Sequence, residues 1–250
     1  MKIHEFENGV KVYDEQLLDV QKLRYEKRNV HEEDEEDIFI ETIKSLPNHA
    51  NYVNVGTAIG YYPLLTKKIR PDIKIYCFEP LPLHLAFFHE NISLNGFNTT
   101  DFMIFDMAIS SISSTVGLKD ESFGSYVTSG TIDQSSISVN AIVLSDIFNL
   151  IGQQDIDFLQ MDIQGHEESV LTTYFSENSQ TTGSIKSFLI GTHGDHIHSA
   201  CRTLFLNNGY KLKLDEPNTK NQPDGIIYCC IQRPASVDYV AIEPPTPHDG

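Results

Sequence analysis

Four side chains stand where an apolar run stops. Glu79 follows Lys74-Ile-Tyr-Cys-Phe78, Asp106 follows Phe102-Met-Ile-Phe105, Asp162 follows Asp157-Phe-Leu-Gln-Met161, and His193 follows Ser187-Phe-Leu-Ile-Gly-Thr192. Carboxylates and an imidazole in such places can hold hydroxyls, move a proton or ligate an ion. Glu79 carries a further mark. It lies 79 − 60 = 19 residues beyond the glycine turn Gly56-Thr-Ala-Ile-Gly60, the usual spacing of an acid that takes a ribose diol. Gly56 lets the backbone turn tightly beside a ligand, and Gly60 lets the next helix pack close to the sheet. Thr57 and Ala58 occupy the place of a dinucleotide fingerprint's middle glycine, and no Gly-Lys-Ser/Thr follows. A ligand with ribose and no phosphate suits this turn best, and S-adenosylmethionine is the common one.

Methyl transfer from a sulfonium needs an acceptor held in line and, for a hydroxyl acceptor, a group to take its proton. Asp162 and His193 are the candidate catalytic residues. Histidine titrates near neutrality and suits a general base. Asp162 suits orienting the acceptor, taking its proton, or binding a divalent cation with a neighbour. The competing readings are a helix cap or cofactor contact for Asp162 and a structural role for His193. No metal-ligand set is assigned. The string His193-Gly-Asp195-His196-Ile-His198 lacks the metallohydrolase order, and two histidines two apart on a helix do not share a face. His166 reads as a helix-start residue. A divalent cation is compatible with the sequence but is not predicted.

These side chains need a scaffold that brings them together. Strands and helices alternate across 51–210, which predicts an α/β fold with a doubly wound, mostly parallel, Rossmann-like sheet. Ligands on such sheets bind beyond the carboxyl ends of the strands, so the four strand-end groups should share one rim. Helices are expected over 13–28 and 38–46 as an N-terminal helical cap (1–50), the acids at 31–37 forming a solvated helix start or, functionally, a lid. The binding domain spans 51–233. Within it come a helix over 82–94 closed by Asn95-Gly96, and a Ser/Thr-rich stretch over 110–138 read as loops with a small antiparallel excursion walling the substrate pocket. A strand over 139–143, a short helix over 144–151, helices opening at Gly165 and His196, and a closing antiparallel strand pair at 210 and 225 complete it. A Pro-rich tail (234–250) is expected to be partly disordered.

Of the 250 residues, 18 are Lys or Arg and 35 Asp or Glu, a formal charge of −17. Such a surface repels a phosphate backbone, which argues against nucleic acid and, more weakly, against anionic membranes. No apolar run reaches membrane-span length, and the first residues lack a signal peptide's apolar core. A cytoplasmic protein is expected. The four cysteines form no Cys-x-x-Cys motif, and adjacent Cys229 and Cys230 in a strand point to opposite faces, so buried thiols are expected.

The sequence resembles the FkbM-type S-adenosylmethionine-dependent methyltransferases over roughly 51–215. The likeness rests on Val53-Asn-Val-Gly56-Thr-Ala-Ile-Gly60-Tyr-Tyr, Cys77-Phe-Glu79-Pro80, Asn91-Ile-Ser-Leu-Asn95, Met107-Ala-Ile-Ser110, and Asp157-Phe-Leu-Gln-Met-Asp162-Ile-Gln-Gly165-His-Glu167. The resemblance implies that Gly56, Thr57 and Gly60 line the methionine end of the cofactor. It implies that Glu79 beside Pro80 holds the ribose, that Asp106 and Met107 flank adenine, and that Asp162 faces sulfonium and acceptor. It further implies O-methylation of a small hydroxylated metabolite, natural product or sugar. Asn54, Ala58, Gln160 and Gln164 depart from the family's usual Asp, Asn, Lys and Glu. Asn54 can still bind an ammonium group through its carbonyl, without charge assistance. The alternatives are a binding-only relative of the same fold, an NAD-linked oxidoreductase and a metal hydrolase built on the histidine string.

Overall fold

The computed structural model describes residues 1–119, 126–128, 136–177, 184–222 and 224–232. The chain opens with a hairpin, β1 (Ile3–Glu5) and β2 (Lys11–Tyr13), where a helical cap was expected. Its turn is Glu7-Asn8-Gly9: the Asn8 side-chain carbonyl accepts the Val10 amide at 3.0 Å, Phe6 and Val10 pair across it, and Gly9 takes φ +80°. A three-residue loop ending in a left-handed glycine is a common hairpin connection. Helix α1 is correspondingly short (Asp19–Tyr25), and α2 (Glu33–Ser45) follows.

The domain proper begins with β3 (Asn51–Val55), α3 (Tyr61–Ile69), β4 (Lys74–Phe78), α4 (Pro82–Leu94) and β5 (Met103–Phe105). A second, four-stranded sheet is built from β6 (Ala108–Ser110), β7 (Ser114–Lys119), β8 (Tyr126–Thr128) and β9 (Ser136–Val143). It contains the expected antiparallel excursion, part of which lies outside the described residues, as does the Pro-rich tail. Then come α5 (Ile147–Leu150), β10 (Phe158–Met161), α6 (Glu167–Glu177), β11 (Ser187–Thr192), α7 (Asp195–Asn207), β12 (Tyr210–Glu216) and β13 (Gly225–Ile231).

The main sheet has seven strands in the order β12-β13-β11-β10-β3-β4-β5. The strands from β11 to β5 run parallel, and β13 is antiparallel to both of its neighbours. The chain leaves β3 toward β4 and β5, then returns to build on the other side with β10 and β11. The crevice lies where that order reverses, between β3 and β10, the usual ligand position on such a sheet. All of β3 is buried because helices cover both faces. Tyr52 packs with Phe39, Phe88 and Phe158 on one face, while Val53 and Val55 join Val170, Leu171 and Phe205 on the other. Alternation along one strand thus feeds two cores.

The acids before and within α2 are not a solvated helix start. Glu32, Glu35 and Glu36 are buried with Phe39, Thr42 and Ile43. Positions 32, 35, 36, 39, 42 and 43 form one helical face, so the buried stripe continues through the carboxylates to the rim of the sheet. Tyrosines that begin α3 meet them. The Tyr62 hydroxyl donates to Glu32 at 2.8 Å, and Tyr61 donates to Glu36. Of the acids from 32 to 37 only Asp37 is exposed, paired with Arg28 at 2.7 Å, while Glu33 and Asp34 are half-buried.

Candidate active site

The turn after β3 is held closed by its own geometry. Gly56 has φ +82°, and a Cβ built on it would lie 1.9 Å from the Asp162 carbonyl oxygen. Only glycine lets the two loops, from β3 and β10, approach this closely. Ala58 sits in the left-handed region at φ +47°, and its amide donates to Glu79 Oε2 at 2.7 Å. The other oxygen of Glu79 accepts the Leu81 amide at 2.9 Å. Glu79 is buried, so these bonds fix its carboxylate, and each oxygen keeps lone-pair capacity for a hydroxyl.

A cavity of about 290 Å³ opens over this rim, at the small end of the usual range for ligand pockets. Asn54, Gly56, Thr57, Glu79, Pro80, Met107 and Asp162 all line it. Two expected cofactor residues do not. Gly60, at φ +87°, precedes α3 and faces the Phe88 ring of α4, where a Cβ would come within 1.9 Å. Its glycine identity answers to helix packing, and that packing is with α4, not the sheet. Asp106 is exposed and is not among the lining residues; the chain turns there from β5 into β6. Ala108, Ile109 and Leu118 supply an apolar wall from the second sheet.

Asn54 is the most informative polar group in the cavity. Its amide nitrogen donates to Gln160 at 3.1 Å, while its carbonyl oxygen is buried without a partner. A buried acceptor left open is costly unless something meets it. Gln160 in turn accepts from Tyr52 at 2.7 Å and donates to Glu35 at 2.5 Å, tying α2 to the sheet. Burial, with Glu32 and Asp162 nearby, raises the Glu35 carboxyl well above its ordinary range.

Asp162 and His193 are brought together at the ends of β10 and β11. The imidazole Nε2 lies 3.4 Å from Asp162 Oδ1 and 3.2 Å from Asp224 Oδ1. Its Nδ1 is 2.9 Å from Glu167, a fully buried carboxylate that also accepts the Ile163 and Gly165 amides. Burial disfavours the charged imidazole, but the Glu167 hydrogen bond and the carboxylates of Asp162 and Asp224 outweigh it and lift His193 to about 9. Burial raises Asp162, and Glu32, Asp224 and Glu167 add to the shift. These shifts favour a proton on the imidazole and make Asp162 the better acceptor of the two. A third of the Asp162 side chain is open, and it opens into the cavity.

Asp224, Glu167, Glu32 and Glu35 were not among the expected site residues. Asp224 reads in sequence as part of a Pro-Asp-Gly turn. It reaches the rim because β13 runs antiparallel to β11 with Thr192 opposite Gly225, which sets the next residues, His193 and Asp224, face to face. The other histidines of the 193–198 string stay apart. His196 is exposed beside Glu168, while His198 is buried between Thr192 and Asp215 at 2.8 and 2.9 Å. His166 immediately precedes α6.

A family model for the methyltransferase FkbM domain matches residues 54–212, well over half of the chain. The chain belongs to the FkbM methyltransferase family. Among solved structures, this FkbM-family chain is similar to an O-methyltransferase from Bacillus cereus in complex with SAH: 11% identity, 88% of this chain and 91% of that one, TM-score 0.50. It is similar to the same degree to an rRNA methylase from Streptococcus thermophilus, at 10% identity over 79% of this chain and 97% of that one, TM-score 0.50. A methyltransferase FkbM from Methylobacillus flagellatus KT is 15% identical over 72% of this chain, with a TM-score of 0.48. This chain spans 43% of that protein's length. No curated protein matches the chain in sequence. At these identities the structural likeness speaks for the fold, a Rossmann-like methyltransferase sheet. Family and fold together are those of S-adenosylmethionine-dependent methyltransferases. The likeness extends equally to an rRNA methylase, so the argument against nucleic acid stands on net charge alone. Among the described residues, no helix is long and apolar enough to cross a membrane.

The four departures of this FkbM-family chain from the motif all have a local setting. Asn54 and Gln160 pair with each other across β3 and β10. Ala58 bears the left-handed strain that asparagine tolerates better. Gln164, also left-handed at φ +54°, donates to Asp162 Oδ1 at 3.0 Å.

Proposed function

We propose that this FkbM-family chain transfers the methyl group of S-adenosylmethionine to a hydroxyl of a small acceptor, of the natural-product or sugar type. The residues at the rim fit the donor. The open carbonyl oxygen of Asn54 suits its ammonium group, the glycine turn at Gly56 leaves no side chain in the way, and the fixed carboxylate of Glu79 suits a ribose diol. Met107, with the apolar wall behind it, suits the adenine. When bound, the donor supplies an activated methyl group on a sulfonium. Asp162 then orients the acceptor and takes its proton, while protonated His193, hydrogen-bonded to Glu167, steadies the resulting charge. The cap formed by α1 and α2 screens the site from water through Gln21, Arg24 and Glu32.

The observation that carries the reading is that Asn54, whose carbonyl oxygen is buried without a partner, lines the same cavity as Asp162. Free, mostly buried thiols support a reducing, cytoplasmic setting. The test is transfer of labelled methyl from S-adenosylmethionine to a panel of hydroxylated metabolites. Asp162→Asn and His193→Ala should each depress turnover sharply and leave donor binding within a few-fold. Full rates in both variants would move the proton acceptor elsewhere. A second reading, a binding-only relative, is favoured by the uncharged Asn54 and expects donor binding without transfer to any acceptor.

A further inference from the structure

Asp162, His193 and Asp224 converge from three different strand ends, and none of the three is adjacent in sequence to another. One ligand-capable atom from each lies within 4.8 Å of the others. His193 Nε2 is 3.4 Å from Asp162 Oδ1 and 3.2 Å from Asp224 Oδ1. Neighbouring donors on an octahedral ion with bonds of about 2.1 Å stand about 3 Å apart, so these separations need little change to close on one ion. His193 Nε2 is sealed from solvent and makes no hydrogen bond, although two carboxylates flank it. The other ring nitrogen is engaged by buried Glu167. That carboxylate–imidazole pairing is the one that fixes ring orientation and tautomer behind a metal-bound nitrogen. Glu32, a buried acid, lines the same cavity as the two aspartates.

We infer that Asp162, His193 and Asp224 form a divalent-cation site on the wall of the cavity, of the Mn²⁺ type. Two carboxylate oxygens and one imidazole nitrogen are a mixed, oxygen-rich set; Mg²⁺ favours all-oxygen shells, and thiolates, which would favour Zn²⁺, are absent from the set. Three protein donors leave positions open. Asp162 and Asp224 both line the cavity, so those positions face the space assigned to the acceptor. With the ion in place, Asp162 and His193, its Nε2 proton displaced by the ion, act as ligands instead of as proton acceptor and charged partner. A hydroxyl bound there would have its pKa lowered by the ion, and its proton would pass to solvent or to a carboxylate outside the set. The acceptor class is accordingly a hydroxyl with a second oxygen beside it, able to chelate. The ion's use in catalysis rests on the methyl-transfer reading above; its binding does not.

The experiment is a titration of the full chain, freed of metal by chelator, with Mn²⁺ alone, following free Mn²⁺ by electron paramagnetic resonance without donor or acceptor. One ion per chain is expected. Asp224→Asn, which keeps size and shape, should weaken binding at least tenfold, and Glu167→Gln about 10–100-fold through the imidazole. His196→Ala, exposed and outside the cluster, should change nothing. Circular dichroism melts confirm that each variant is folded. Absence of saturable binding to the unaltered chain overturns the inference, as does binding that Asp224→Asn leaves intact. Chelator-resistant methyl transfer by ion-free protein removes the catalytic ion and leaves the transferase reading standing. An ion bound with no transfer to any acceptor supports the site and counts against that reading.

Discussion

Replacing Gly56 by alanine tests the contact that shapes the cavity. Two separate penalties are expected. The residue has φ +82°, and placing an L side chain in the left-handed region costs about 1–2 kcal/mol. The added Cβ would also lie 1.9 Å from the Asp162 carbonyl oxygen. Because that atom is backbone at the end of a central strand, relief requires the β10 loop to move, and such overpacking costs about 1–3 kcal/mol more. The sum is about 2–5 kcal/mol, or roughly 4–20 °C in Tm for a chain of this size. Gly96 provides the control. It has φ +76° with nothing within 4 Å of an added Cβ, so Gly96→Ala should lose only the conformational part, about 1–2 kcal/mol. Thermal melts and calorimetry with S-adenosylhomocysteine read both consequences. Gly56→Ala should be clearly the less stable variant and should lose donor binding, while Gly96→Ala should bind normally. Equal stability losses with unchanged binding in both would refute the close approach of the two loops.

Asn54→Ala should weaken S-adenosylmethionine by about 1.5–3 kcal/mol, the worth of a hydrogen bond to a charged group, or roughly 10–150-fold by calorimetry. Ala58→Gly removes a left-handed side chain at φ +47° and should raise Tm by a few degrees, about 1 kcal/mol. Glu36 gives a pH signature. Burial raises its carboxyl above the ordinary 4.5, against the hydrogen bonds from Tyr61 and Asn8. The folded chain therefore holds this proton to higher pH than the unfolded chain. The associated stability is complete below the unfolded value and is lost as pH rises through the folded one. Glu36→Gln, which cannot ionise, should gain on the unaltered chain progressively as melts move from about pH 5 to about pH 8. A gap independent of pH would show that Glu36 does not titrate in this way.

Much of the scaffold was legible because its signals are local. The buried run 51–55, the glycine turn and the acid at 79 fix a strand, a crossover and a second parallel strand from within thirty residues. Strand ends at 162 and 193 were legible for the same reason. Asp224 was not, since only the antiparallel register of β13 against β11 carries it to His193. The carboxylates of Glu32, Glu35 and Glu36 misled because acids at a helix start are ordinarily solvated. Their burial depends on tyrosines in a later helix and on Gln160, 125 positions away from Glu35. The N-terminal hairpin was announced by Asn8-Gly9, a signal overshadowed by the apolar spacing further along. Asp106 looked like a strand-end acid of the same kind as Glu79, and β5 does end level with β4, yet the Asp106 side chain is exposed where the chain turns into β6.

Glu79 bears on the central claim most directly: a sulfonium donor seated over β3 and β4 with its sugar on one carboxylate. The measurement is isothermal calorimetry of S-adenosylhomocysteine against the unaltered chain and Glu79→Gln, which retains an acceptor for the Ala58 or Leu81 amide but loses the charge. The expected result is saturable one-to-one binding that weakens at least tenfold in the variant, the worth of about 1.4 kcal/mol. No binding by the unaltered chain, or equal affinity in a folded Glu79→Gln variant, would contradict it.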